Sequence, residues 1–153
     1  MTRSELVVFL ARAFDFVREA QSIGQNRGQR VEAIQHWAGG ITGESWCMDF
    51  ATTVLDLAFK GKAPILRQGN CQAVYDLARA NGWLAETPSV GDLFLYVDEH
   101  DHAHHVGIVT AVDPLTAIAG NTSALGTSSN GDGVYEHAID ARVFIAYPRD
   151  DAA

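Results

Sequence analysis

Three residue types that can carry nucleophilic acyl chemistry occur in the order Cys47, His105, Asn121 along a chain of 153 residues. A thiolate attacks, an imidazole takes and returns a proton, and an amide holds the imidazole in one tautomer and orientation. Cys47 lies in the segment SWCMDF, after which Phe50, Val54, Leu57 and Ala58 recur at helical spacing toward Gly61, with Ser45 placed as the N-cap. A thiol in a first helical turn sits at the positive end of the helix dipole, among backbone N–H groups that lack intrahelical partners, and both favour the thiolate. The same N–H groups, that of Cys47 included, are positioned to donate to the oxyanion formed when a carbonyl is attacked.

The segment DEHDHAHH offers four histidines, His100, His102, His104 and His105, just before the β-rich run Val106 to Val112. Strands over 105–112 and 117–122, joined through Asp113-Pro114-Leu115-Thr116, would pair positions summing to about 227. That register sets His105 opposite residues 121–123, where Asn121 can accept a hydrogen bond from one ring nitrogen and leave the other to face the thiol. His100 and His102 fall too early to share the strand. His104 is the rival base, although strand alternation turns it to the other face. Asp113 lies at the turn tip, far from His105, and suits turn formation.

These residues need elements to hold them. Leu6, Phe9, Leu10, Ala13, Phe14 and Val17 predict a first helix from about Arg3 to Ala20. Val31, Ile34 and Trp37 predict a short second helix stopped by Gly39 and Gly40, and Val74, Leu77 and Ala78 a fourth over Cys71 to Asn81. The second half changes period, with short strands expected at Leu93 to Val97, Val106 to Val112, Ala117 to Gly120, Val134 to His137 and Val143 to Tyr147. Helices first and strands afterwards is the order of an α+β fold, with N-terminal helices packed on a C-terminal antiparallel sheet. One domain is expected over residues 1–149, with 150–153 a frayed tail.

Several residues carry a structural reading beside the chemical one. Cys71 shares a helix face with Val74 and Ala78 and reads as core, and Asp49 as helix surface. Trp46 and His104, beside the nucleophile and the base, are candidates to line a substrate groove, while Trp46 would equally anchor its helix in the core. Alternating histidines and carboxylates in DEHDHAHH suit a Zn²⁺ or Ni²⁺ ligand set, but no partner ligands are spaced elsewhere, and no metal or cofactor is expected.

A formal net charge of −8 argues against a general affinity for nucleic acid or anionic lipid. The opening stretch is broken by Arg12, Asp15, Arg18 and Glu19 before it reaches the length of a membrane span, and no small-residue cleavage site follows. Synthesis in the cytoplasm, with both cysteines reduced, is the expectation. A monomer is expected.

SWCMDF, GDLFLYV, HHVGIV and AIAGNTS, in that order and spacing, resemble the CHAP family, the cysteine- and histidine-dependent amidohydrolases and peptidases of the papain-like superfamily. VREAQSIGQNRGQRVEAIQHWAGG leading to GESWC is similar to phage and prophage members, and FIAYPR resembles the closing strand of these domains. The resemblance implies Cys47 as nucleophile, His105 as general base and then acid, and Asn121 as the orienting residue. It departs at Ala119, where many members carry a glutamate; a Cys-His-Asn triad remains sufficient in principle. No acidic cluster resembles the calcium loop of some members. The implied substrate is peptidoglycan, cut as an endopeptidase or as an N-acetylmuramoyl-L-alanine amidase, after release or delivery to the wall. Two other readings stand beside it: a toxin-type amidase exported by a secretion machine, and a catalytically silent module that binds wall peptide or builds a virion.

Overall fold

Four helices precede the sheet, and each starts or stops on a local signal. A computed structural model describes residues 1–124 and 131–150. Helix α1 (Arg3–Arg12) opens on a reciprocal capping box, in which Thr2 accepts from the Glu5 N–H and Glu5 accepts from the Thr2 N–H. It is shorter than its periodicity predicts. The chain turns after Ala13, and Val17 to Glu19 run along a sheet edge: the Val134 N–H donates to Val17 O at 3.0 Å and the Glu19 N–H to Asp132 O at 2.7 Å. Edge pairing satisfies backbone groups that a continued helix would have bonded internally, and it buries Val17. The buried face of α1 is Val7, Val8 and Ala11, while Phe9 is exposed.

Helix α2 (Gln29–Trp37) and helix α3 (Cys47–Ala58) follow, the latter buried at every position except Asp56 and Leu57. Such all-round burial marks a central helix, and α3 packs against α1, α2 and the sheet. Trp46 occupies its N-cap position without a side-chain cap, so the expected Ser45 cap is not formed. Helix α4 (Cys71–Ala80) is capped by Asn70, whose Oδ1 accepts from the Ala73 N–H at 3.0 Å. Among the described residues no helix is long and apolar enough to cross a membrane.

Six strands, β1 (Leu84–Ala85), β2 (Leu93–Val97), β3 (Ala103–Val112), β4 (Leu115–Thr122), β5 (Gly133–Ala138) and β6 (Val143–Ile145), form one antiparallel sheet in the order β1-β6-β2-β3-β4-β5. The fold is α+β, with N-terminal helices on a C-terminal antiparallel sheet. Strand β1 is too short for a period and went unread. The β3–β4 connection is tighter than expected, a two-residue turn of Asp113 and Pro114. Next to it Val112 pairs with Leu115 and Ala111 with Thr116, as the register predicts; a bulge at Thr110 then shifts the pairing by one, so that Val109 meets Ala117 and Ile108 meets Ile118. The recorded β3–β4 pairing ends at Ile108 and Ile118, and β4 is irregular between Ala119 and Thr122, where Asn121 lies.

The core lies mainly between the helices and one sheet face, where Phe50, Val54 and Leu55 of α3 join a buried cluster with Leu93, Val106 and Ile118. Gly120 permits the closest approach. A Cβ there would lie 2.7 Å from the Phe50 Cβ and 2.8 Å from the Trp46 ring, so β4 can lie against α3 only without a side chain at that position.

Candidate active site

Cys47 lies in the first turn of α3, as the sequence predicts; it is the first residue of that helix and is almost wholly buried. Its thiol pKa is held well below the ordinary cysteine range. The largest cause is a hydrogen bond from the Cys71 thiol; burial opposes it, and the His105 side chain and the Val106 N–H add to the lowering. These neighbours favour the thiolate.

His105 in β3 is buried, its ring stacked on Tyr96 with centroids 5.9 Å apart and edge-on to Phe94 at 5.9 Å. The two aromatic rings fix the imidazole plane. Neither ring nitrogen makes a hydrogen bond of good geometry, yet the His105 side chain lies close enough to lower the Cys47 pKa, through a hydrogen-bonding contact first and its charge second. Asn121 in β4 is fully buried and has a left-handed backbone, φ 54°. Its Nδ2 donates to Ser45 Oγ at 2.9 Å, whereas its Oδ1 has no partner. The expected hydrogen bond between Asn121 and His105 is thus absent, and the amide is held by the loop before the nucleophile. Orphaned buried polar atoms cost about 1–3 kcal/mol each. Here the unsatisfied atoms are the Asn121 carbonyl oxygen and the two His105 ring nitrogens, the acceptor and donor that the sequence reading pairs.

Two features near Cys47 run against the sequence reading. Cys71, expected in the core without partners, is only partly buried, is the first residue of α4, and holds its sulfur 3.6 Å from that of Cys47. The signal was available: Asn70-Cys71 repeats at α4 the placement of a cysteine at a helix start. Asp49, expected on the helix surface, is fully buried. Its pKa is pushed up to about 9 by burial first, then by the Glu44 carboxyl and the Cys47 sulfur, so it is protonated at neutral pH. Both carboxyl groups flank Gly69: a Cβ on that glycine would stand 2.5 Å from Asp49 Oδ1 and 3.2 Å from Glu44 Oε1. A carboxyl as the one charged group in the run CMDFATTVL was the missed clue.

The remaining predicted positions separate. Trp46 is fully buried, with its Nε1–H donating to Glu19 Oε2 at 2.8 Å, and presents no face to a substrate; it anchors α3, so its assignment to substrate binding is corrected. His104 is exposed next to His105 and stacks on Tyr96 with centroids 6.2 Å apart. The stretch around His100 and His102 is organised by Asp98, whose Oδ1 accepts from both backbone N–H groups at 2.8 and 2.9 Å. Among the described residues no three His, Cys, Asp or Glu side chains converge closely enough to hold a metal ion.

A polar cavity of about 300 Å³, lined by Gly40, Glu44, Arg67, Gln68, Gly69 and Asn70 among others, lies beside the starts of α3 and α4. An apolar groove of about 350 Å³ between Phe14, Phe16, Ile34, Trp37 and Leu57 includes none of the reactive side chains.

The model of the CHAP domain matches residues 37–121, more than half of the chain, and the matched span starts before the nucleophile and ends on Asn121. No curated protein sequence matches the chain. With that match over Cys47, His105 and Asn121, the chain belongs to the CHAP-domain family, the cysteine- and histidine-dependent amidohydrolases and peptidases.

Proposed function

We propose that this protein hydrolyses an amide bond in the peptide of bacterial peptidoglycan, with Cys47 as nucleophile. The single observation that carries the reading is the Cys47 thiol at the start of α3, kept acidic beside His105. In this reading the Cys47 thiolate attacks the carbonyl carbon and the negative charge moves to oxygen, where backbone N–H groups at the helix start receive it. Protonated His105 gives its proton to the leaving amine, the C–N bond breaks, and a thioester remains. His105 then takes a proton from water, which attacks the thioester and restores the thiolate. Asn121 orients the ring once its Oδ1 accepts from a His105 nitrogen, the pairing that would satisfy both orphaned groups.

The polar cavity bordered by Glu44 and Asn70, residues just before α3 and α4, offers a peptide chain polar groups to bind near the start of the nucleophile's helix. An acidic protein with net charge −8 gains no long-range attraction to a partly anionic wall polymer, so recognition rests on the shaped groove. The protein acts as a monomer on the wall after release or delivery, and nucleic acid is not its partner. Between the two bond classes of the family, endopeptidase and amidase, the test is mass spectrometry of fragments released from purified peptidoglycan. New amino termini on peptides identify a peptidase, and free muramic lactyl ends identify an amidase. Release by wild type and none by Cys47→Ala is the expected result. No release by either would sink the reading in favour of a silent wall-binding or virion module.

A further inference from the structure

The Cys47–Cys71 pair has geometry beyond what a nucleophile needs. Each cysteine is the first residue of its helix, α3 and α4, so both sulfurs belong to helix N-termini, where the positive end of the dipole favours a thiolate. The sulfurs are 3.6 Å apart with both thiols free. A disulfide needs about 2.05 Å, so the pair has to close by roughly 1.5 Å. The segment that joins the two helices, residues 59–70, forms only turns and irregular structure, so no helix or strand spans the two cysteines. Cys71 is partly exposed where Cys47 is buried, which gives a small oxidant or reductant an approach along the Cys71 side.

We propose that Cys47 and Cys71 are a redox-modification site, at which a peroxide oxidises Cys47 and Cys71 then closes a disulfide that masks the nucleophile. The Cys47 thiolate attacks one peroxide oxygen: an S–O bond forms, the O–O bond breaks, and hydroxide leaves, so sulfur loses two electrons and the peroxide gains them. Cys71 then loses its proton and attacks the Cys47 sulfur. The S–S bond forms, the S–O bond breaks, and the second hydroxide leaves and is protonated to water. In sum two thiols and one peroxide give one disulfide and two waters, and a dithiol reductant supplies the two electrons and two protons that reverse it. The order of events follows from the two environments. Cys47 is the acidic thiol, and the Cys71 thiol is raised by the hydrogen bond to Cys47 and by burial. Conversion of Cys47 to a neutral sulfenic acid removes the anion that suppressed Cys71 ionisation and so releases the resolving thiol.

Disulfide formation and masking stand on the two thiols alone; that masking silences hydrolysis rests on the proposed function. The experiment treats the reduced full chain with a stoichiometric amount of hydrogen peroxide. Intact mass, non-reducing peptide maps and iodoacetamide labelling of Cys47 are then followed. The expected product is about 2 Da lighter, carries a Cys47–Cys71 linked peptide, no longer takes label at Cys47, and regains labelling after dithiothreitol. In Cys71→Ser and, as a second variant, Cys71→Ala, Cys47 should instead gain about 16 Da as a sulfenic acid that dithiothreitol reverses, and under excess peroxide about 32 and 48 Da with labelling lost for good. Oxygen gain at Cys47 in the wild type without the lighter species, or a lighter species that still labels at Cys47, overturns the proposal. If the disulfide forms and masks Cys47 while the reduced protein releases nothing from peptidoglycan, the modification site stands and the hydrolase reading fails.

Discussion

Asn121 donates to Ser45 at 2.9 Å, an hydrogen bond that ties the end of strand β4 to the residue two before the nucleophile. The contact joins the two halves of the chain at the site: the helical half that presents the sulfur and the sheet that presents the imidazole. It also leaves the Asn121 carbonyl oxygen without a hydrogen-bond partner.

Removing either end of that tie should therefore reach activity through position. Ser45→Ala is expected to cost about 1 kcal/mol of stability and a several-fold loss of turnover. Asn121→Ala, which also removes the free oxygen, should cost more in turnover, about 10-fold or beyond. Equal losses in the two variants, measured on purified peptidoglycan alongside urea denaturation, would mean the amide oxygen has no orienting role.

His105 is one of the groups that lower the Cys47 pKa. A lowered folded-state pKa means that the thiolate exists at pH values where the ordinary thiol, near 9.0, is still protonated. The iodoacetamide rate of wild-type Cys47 should stay high as pH falls from 9 toward neutrality and decline only below the folded value. In His105→Gln the decline should begin at higher pH, and hydrolysis should drop by about 10²–10⁴. An unchanged alkylation profile in this variant contradicts the electrostatic coupling.

Asp49 gives a stability signature of opposite sign. Its folded pKa of about 9 lies above the ordinary 3.8, so the folded state holds a proton that the unfolded chain has already released. Unfolding free energy then falls as pH rises through that interval. Asp49→Asn, permanently neutral, should flatten this fall: equal or greater stability than wild type near pH 8, with the difference shrinking toward pH 4. Urea midpoints across that range provide the check, and parallel curves for the two proteins would refute the protonated carboxyl.

The contact of β4 with α3 can be tested at Gly120. A Cβ there meets Phe50 and the Trp46 ring inside 3 Å, and relief requires the strand or the helix to move. Gly120→Ala is expected to destabilise by about 1–3 kcal/mol, the usual range for overpacking a filled interior. Thermal denaturation would show the loss, and a variant as stable as wild type would argue that the helix and strand are not so closely apposed.

What the sequence alone determined is what local periodicity, capping and turn residues encode. A helix with Cys47 in its first turn, the change from helical to strand period near Leu93 and the β3–β4 hairpin about Asp113-Pro114 were legible because each rests on neighbours within a few positions. The length of α1 was not, because Val17 to Glu19 leave the helical pattern to pair with Asp132 and Val134, partners more than a hundred residues away. Ser45 looked like a cap because a serine precedes a helix, yet its hydroxyl is taken by Asn121 on a distant strand. Trp46 and Asp49 were ambiguous for the same reason: burial depends on what the folded chain brings over them, here Gly120 for one and Gly69 with Glu44 for the other. Only the tertiary structure set Cys71 beside Cys47, since two helix starts separated by a loop meet at 3.6 Å through packing and not through any pattern of spacing.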